Sequence, residues 1–184
     1  MTRRITRREF NRLAAAAGAA ALVPFAEASA EARFSNPPFQ LGVASGDPTT
    51  DGFVIWTRLA PEPLDPGALG RSSFKVAWEV AEDPSFARIA KQGTAMARPH
   101  FAHSVHVEVD GLAPGREYFY RFHLGRYESA AGRALTCPAA ESQPESLRFA
   151  FSSCAHYEQG YFSAYRHMAE DRPDLDPDAR RLHL

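Results

Sequence analysis

From Phe39 to about Cys137 the apolar positions recur at every second residue, the spacing of strands rather than helices. Phe53, Val54, Ile55 and Trp56 form one dense run between Asp51-Gly52 and the prolines that begin at Pro61. Phe74, Val76, Trp78 and Val80 alternate with Lys75, Ala77 and Glu79, which predicts one face on a core and the other on water. Val105, Val107 and Val109 alternate in the same way with His106, Glu108 and Asp110. Tyr118, Tyr120, Phe122 and Leu124 share a face opposite Phe119, Arg121 and His123. Short strands separated by turn signals, with no helical stretch among them, predict a β-sandwich. Trp78 is expected to be one of its structural anchors.

One local feature sharpens that expectation. Leu112 to Tyr118, LAPGREY, has the form of the turn before a tyrosine corner, in which a tyrosine hydroxyl hydrogen-bonds to backbone a few residues upstream. With Tyr118 in that role, the predicted fold is a mainly β, fibronectin type III/Ig-like sandwich over 31–138. The stretch TCPAAESQPES around Cys137 then reads as the approach to a linker at 139–146, rich in Pro, Ser and Glu.

Beyond the linker the period changes. Leu147, Phe149 and Phe151 alternate with Arg148 and Ala150, predicting a short strand. Past Gly160, Phe162, Tyr165, Met168 and Ala169 fall at helical spacing before Pro173. A strand that hands over to a helix leaves its loop at the carboxyl edge of a sheet, where α/β domains place ligands and chemistry. That loop carries Cys154 and His156. The residues alone leave Cys154 open as a metal ligand, a small buried side chain or a disulfide partner of Cys137. His100, His103 and His106 run from a loop into a strand, where a spacing of three alternates faces, so no metal site is expected there.

Residues 1–30 belong to a different category. Thr6 to Arg12, TRREFNR, is a twin-arginine stretch, followed by an uncharged run from Leu13 to Val23 and by Ala28-Ser29-Ala30, a pattern that signal peptidase accepts. The run is too short to span a bilayer, and no cysteine near the cleavage site offers a lipid anchor. The expected route is the twin-arginine translocase, followed by cleavage and a periplasmic or extracellular location. Lys and Arg number 21 against 22 Asp and Glu, and no basic run remains after the signal. That balance gives no electrostatic footprint for nucleic acid or for a membrane surface once the signal is gone.

Two stretches carry a resemblance to a known family. FQLGVASGDPTTDGFVIWTRLAP, Phe39 to Pro61, resembles the start of the amino-terminal domain of the alkaline phosphatase D (PhoD-like) family. FAFSSCAHYEQGYFSAYRHMAEDRPDL, Phe149 to Leu175, resembles the opening of that family's catalytic domain, an α/β/β/α metallophosphoesterase fold. The resemblance implies an exported, metal-dependent phosphomonoesterase or phosphodiesterase that acts on phosphate esters and uses iron together with calcium. It implies Cys154 as an iron ligand. His156, one residue further on, is either a second ligand or a histidine beside the metal or in solvent.

The departure from the family lies at the end. After Leu175 the family pattern continues as a hydrophobic strand closing on a Gly-Asp pair whose carboxylate bridges metals. Here Asp176 to Leu184, DPDARRLHL, is polar and contains a proline. The expectation is therefore a truncated chain in which 147–184 only begins the metallophosphatase domain, stably binds no metal and is inactive alone. Two alternatives stand beside it: a secreted sandwich that acts as a binding module, and one half of a split enzyme. Amino-terminal sequencing of the exported protein should find Glu31 first, and recovery of Met1 to Ala30 on the folded, exported form would contradict the signal.

Overall fold

The strand with the cleanest alternation is the one most completely packed. In β6 (Glu117–Leu124) burial switches at every residue, and Tyr118, Tyr120, Phe122 and Leu124 are almost wholly enclosed. The computed structural model describes residues 34–65, 67–144, 146–152, 161 and 163–174. The proposed signal at 1–30 lies outside the described residues.

Around β6 two antiparallel sheets face each other. One has the order β1 (Val43–Gly46), β2 (Phe53–Arg58), β5 (Ser104–Val109). The other runs β4 (Ile89–Ala97), β3 (Phe74–Ala81), β6, β7 (Tyr127–Glu128), with β8 (Gly132–Leu135) also paired to β6. This is the mainly β, fibronectin type III/Ig-like sandwich that the alternation predicts. Phe53, Ile55, Val105 and Val109 from the first sheet meet Val76, Val80, Tyr118, Tyr120 and Phe122 from the second. Burying a side chain of this size contributes about 1.5–3 kcal/mol each.

Two aromatic side chains of the second sheet pack directly onto glycine. Trp78 lies opposite Gly93 and Tyr120 opposite Gly132 in the strand registers. A Cβ on Gly93 would stand 2.6 Å from the Trp78 ring, and one on Gly132 would stand 2.2 Å from the Tyr120 ring. Trp78 itself is only partly buried, packed against the rim of the core rather than enclosed by it. Burial also pushes the Tyr120 phenol up, with the Ser45 hydroxyl opposing the shift.

The loop before β6 is tied down by a set of hydrogen bonds. The Ala113 N–H donates to Tyr118 Oη at 2.9 Å. Thr136 Oγ1 donates to the Ala113 carbonyl at 2.8 Å and accepts from the Arg116 N–H at 3.0 Å. The Cys137 N–H reaches the Thr49 carbonyl at 2.8 Å, so residue 137 is stitched into the sandwich edge rather than hanging in a linker.

The second face of β3 departs from expectation. Ala77 and Glu79 were expected in water, yet both are buried. The reason lies on β6, where Arg121 stands opposite Glu79 and His123 opposite Ala77. Arg121 Nε donates to Glu79, its Nη1 donates to Glu128 at 2.9 Å, and its guanidinium lies 4.0 Å from the Phe86 ring centroid. A buried carboxylate is tolerated because it is paired and hydrogen-bonded.

Tyr118→Phe leaves the Ala113 N–H without its acceptor and should cost about 1–3 kcal/mol in denaturant melts. Gly132→Ala forces a methyl group against Tyr120 and should cost about 1–3 kcal/mol by overpacking. A Tyr118→Phe protein as stable as the parent would remove the structural role assigned to that hydroxyl.

Candidate functional site: the junction between the sandwich and residues 146–174

The residues expected to carry chemistry follow the sandwich in sequence. Cys154 and His156, the residues expected to face a metal, lie outside the described residues. The elements that lead into and out of their loop are described. The Phe149 and Phe151 rings stack with centroids 6.4 Å apart. The strand expected over 147–151 is reduced to a single bridging residue, Phe149. Among the described residues it has no sheet on which to form a ladder, and Leu147, Phe149 and Phe151 are 65%, 63% and 74% exposed.

The helix forms close to where its periodicity predicts, as α1 (Ser163–Glu170). Tyr165 is its buried residue, and His167 Nδ1 sits 3.1 Å from Glu170 Oε2 one turn on. Phe162 lies outside the described residues. Arg172 then stops the helix in the left-handed region, at φ 48°, with its N–H donating to the Ala169 carbonyl at 3.2 Å. A non-glycine residue in that conformation carries about 1–2 kcal/mol of backbone strain.

Residues 172–174 return to the sandwich. Arg172 Nη2 donates to Glu117 Oε1 at 3.0 Å. Arg133 of β8 donates to the same oxygen through Nε and reaches the Pro173 carbonyl at 3.3 Å through Nη1. On the other side the Asp174 N–H donates to the Arg148 carbonyl at 2.8 Å, and the Arg148 N–H donates to Asp174 Oδ2 at 2.9 Å. Arg148 Nη2 adds a bond to the Arg172 carbonyl at 3.3 Å. Partial burial works against the Glu117 charge, but Arg133 and Arg172 outweigh it and hold the carboxyl below its ordinary value.

The remaining candidates are dispersed. His103 is buried, with Nε2 2.8 Å from the Ser72 carbonyl. His106 faces Trp56 across β2 and β5, with ring centroids 6.4 Å apart, and the His100 ring lies tilted against Phe101 at 4.3 Å. Cys137 is a free thiol whose Sγ lies 3.4 Å from the Pro48 carbonyl. Among the described residues no group of three or more His, Cys, Asp or Glu could hold a metal ion. Glu117 and Arg133 were not singled out in the sequence. The outward position of Glu117 follows from the alternation of β6, but nothing local to either residue points to a partner at residues 172–173.

Residues 26–138 match the family described as "PhoD-like phosphatase, N-terminal domain". A Bacillus subtilis (strain 168) protein described as "Alkaline phosphatase D" is 50% identical over 149 residues, covering 81% of this chain and 26% of that protein. A solved structure titled "Structure of PhoD" superposes with a TM-score of 0.77 at 50% identity, covering 79% of this chain and 28% of that one. An fn3 domain of the human collagen alpha-1(XX) chain is far more distant, at 20% identity and a TM-score of 0.36 over 64% of this chain and 98% of that domain. The chain thus spans about a quarter of the length of the curated relative it matches.

Glu117 should titrate below the ordinary glutamate value of 4.5. Its folded pKa is lowered, so the stability it contributes is present above the unfolded value and is lost as pH falls through the folded one. Carboxyl NMR across that acidic window should show the depressed midpoint, with Arg133→Gln moving it back up. An unshifted midpoint in the parent would contradict the bridging geometry.

Proposed function

The chain belongs to the PhoD-like phosphatase family, and on that premise we propose that it is the amino-terminal part of an exported, metal-dependent alkaline phosphatase acting on phosphate mono- or diesters. The observation that carries this reading is the 50% identity over 149 residues, a span longer than the amino-terminal-domain match. In this reading the twin-arginine signal at 1–30 directs the chain through the twin-arginine translocase, and signal peptidase frees a periplasmic or extracellular protein. Phosphate esters are the substrates, and neither nucleic acid nor a membrane surface is a partner of the processed protein.

Iron and calcium, when bound, would neutralise phosphate charge and lower the pKa of a bound water. Cys154 is the residue proposed to ligate iron as a thiolate, with His156 beside it. Two such donors do not make a two-metal centre, which needs a bridging carboxylate and further ligands. The described residues supply a scaffold: a sandwich, a short helix and a charged junction that ties 172–174 to the sandwich and Arg148 to 172–174. We therefore read residues 31–184 alone as inactive.

Purified 31–184, assayed with chromogenic phosphate mono- and diesters with iron and calcium supplied, should show only background hydrolysis. Turnover that survives repurification and disappears in Cys154→Ala would overturn the inactivity. It would then favour a site completed by self-association or by a second polypeptide, the split-enzyme alternative.

A further inference from the structure

The outward face of β6 and β8 does something the sandwich core does not need. Glu117 lies at the first position of β6, and its Oε1 accepts from two arginines that belong to different parts of the chain. Arg133 comes from the neighbouring strand β8, where it pairs laterally on the sheet surface. Arg172 comes from 55 residues further along, just past the end of α1. Arg133 also binds the Pro173 carbonyl, and Asp174 binds Arg148 through both its N–H and its carboxylate. The connections form one path from the sheet, through 172–174, to Arg148 at the entrance of the segment that leads to Cys154.

We infer that Glu117 and Arg133 form a clasp that seats Arg172 to Asp174 on the sandwich and thereby fixes where residues 148–152 stand. The inference is independent of the phosphatase reading, since it concerns how two parts of this chain are joined. The backbone at Arg172 supplies a second, separate observation. A helix stop in the left-handed region favours glycine, yet this chain places an arginine there at φ 48°. Glycine would relieve the backbone but could not reach Glu117. Arginine accepts the strained conformation and delivers a guanidinium to the carboxylate.

Burial favours the same assignment. The Glu117 and Arg133 side chains are about two-thirds covered, whereas that of Arg172 is 62% exposed. A fixed, half-desolvated carboxylate with an arginine already on it is a preorganised socket for a second arginine, and ordering costs fall mainly on Arg172. Charge pairs that are fully exposed contribute little, so the socket rather than the pair count is what makes the contact selective.

Glycine at position 172 separates the two readings of that residue. Hydrogen exchange is followed by NMR at the Arg148 and Asp174 amides of the 184-residue chain, with β3 and β6 amides as an internal reference. Arg172→Gly should speed exchange at Arg148 and Asp174 by about three- to tenfold, although the substitution relieves backbone strain. Glu117→Gln should do the same, and the double variant should add little to either single one. Exchange in β3 and β6 should stay as in the parent for Arg172→Gly, which lies outside the sandwich. Slower or unchanged exchange in Arg172→Gly would overturn the clasp and leave an incidental surface pair. Additive effects in the double variant would overturn it as well, because the two residues would then act separately.

Discussion

Four large side chains on one face of β6 set the terms for the rest of the molecule. Tyr118, Tyr120, Phe122 and Leu124 must all be enclosed, and alternation leaves no choice about which face does it. A core at close-packed density then dictates what may stand opposite. Gly132 faces Tyr120 because even a methyl group would overlap the ring. The loop before Tyr118 is fixed by the same residue, since its hydroxyl is the acceptor for the Ala113 N–H. A one-residue slip of β6 would expose all four side chains and bury Arg121 and His123 in their place.

The same logic explains what was legible in the sequence. Strands β2, β3, β5 and β6 carry large apolar residues on the inward face, so periodicity finds them. β4 is nine residues long and escapes it. Its inward positions opposite β3 are Ala97, Ala95, Gly93 and Lys91, and small residues there make room for Trp78. The binary pattern of β4 is thus erased by its partner's bulk, a tertiary effect with no local sign. β1 and β8 are only four residues each, too short for alternation to stand out. The outer face of β3 misled for the opposite reason. Polarity at Glu79 suggested water, but Arg121 and His123 pair with it, and pairing across more than 40 residues is invisible in sequence.

At the junction the legible part was the order of elements. A helix follows an extended segment, as the change of period indicates. What the residues could not convey was the connection from α1 back to the sandwich, because Glu117, Arg133 and Arg172 are ordinary surface charges when taken singly. Their meaning depends on the fold that brings β6 and β8 into register. Alternation assigns Glu117 to the outer face; only the three-dimensional path of 172–174 decides what stands on it.

Leu147, Phe149 and Phe151 place a different demand on their surroundings from the sandwich. An extended segment with one apolar face gains stability only by pairing into a sheet and covering that face. Neither happens among the described residues, and three large side chains stand more than half exposed. The sandwich, by contrast, satisfies its own loops and encloses its own core. The two parts are therefore unequal in what they ask of their surroundings. One is finished by its internal contacts, while the described part of the other is held by the charged and backbone bonds at 172–174 and leaves three apolar side chains exposed. An extended segment of this kind becomes ordered only where its apolar face is covered, and the sandwich contributes its position through the bonds at 172–174.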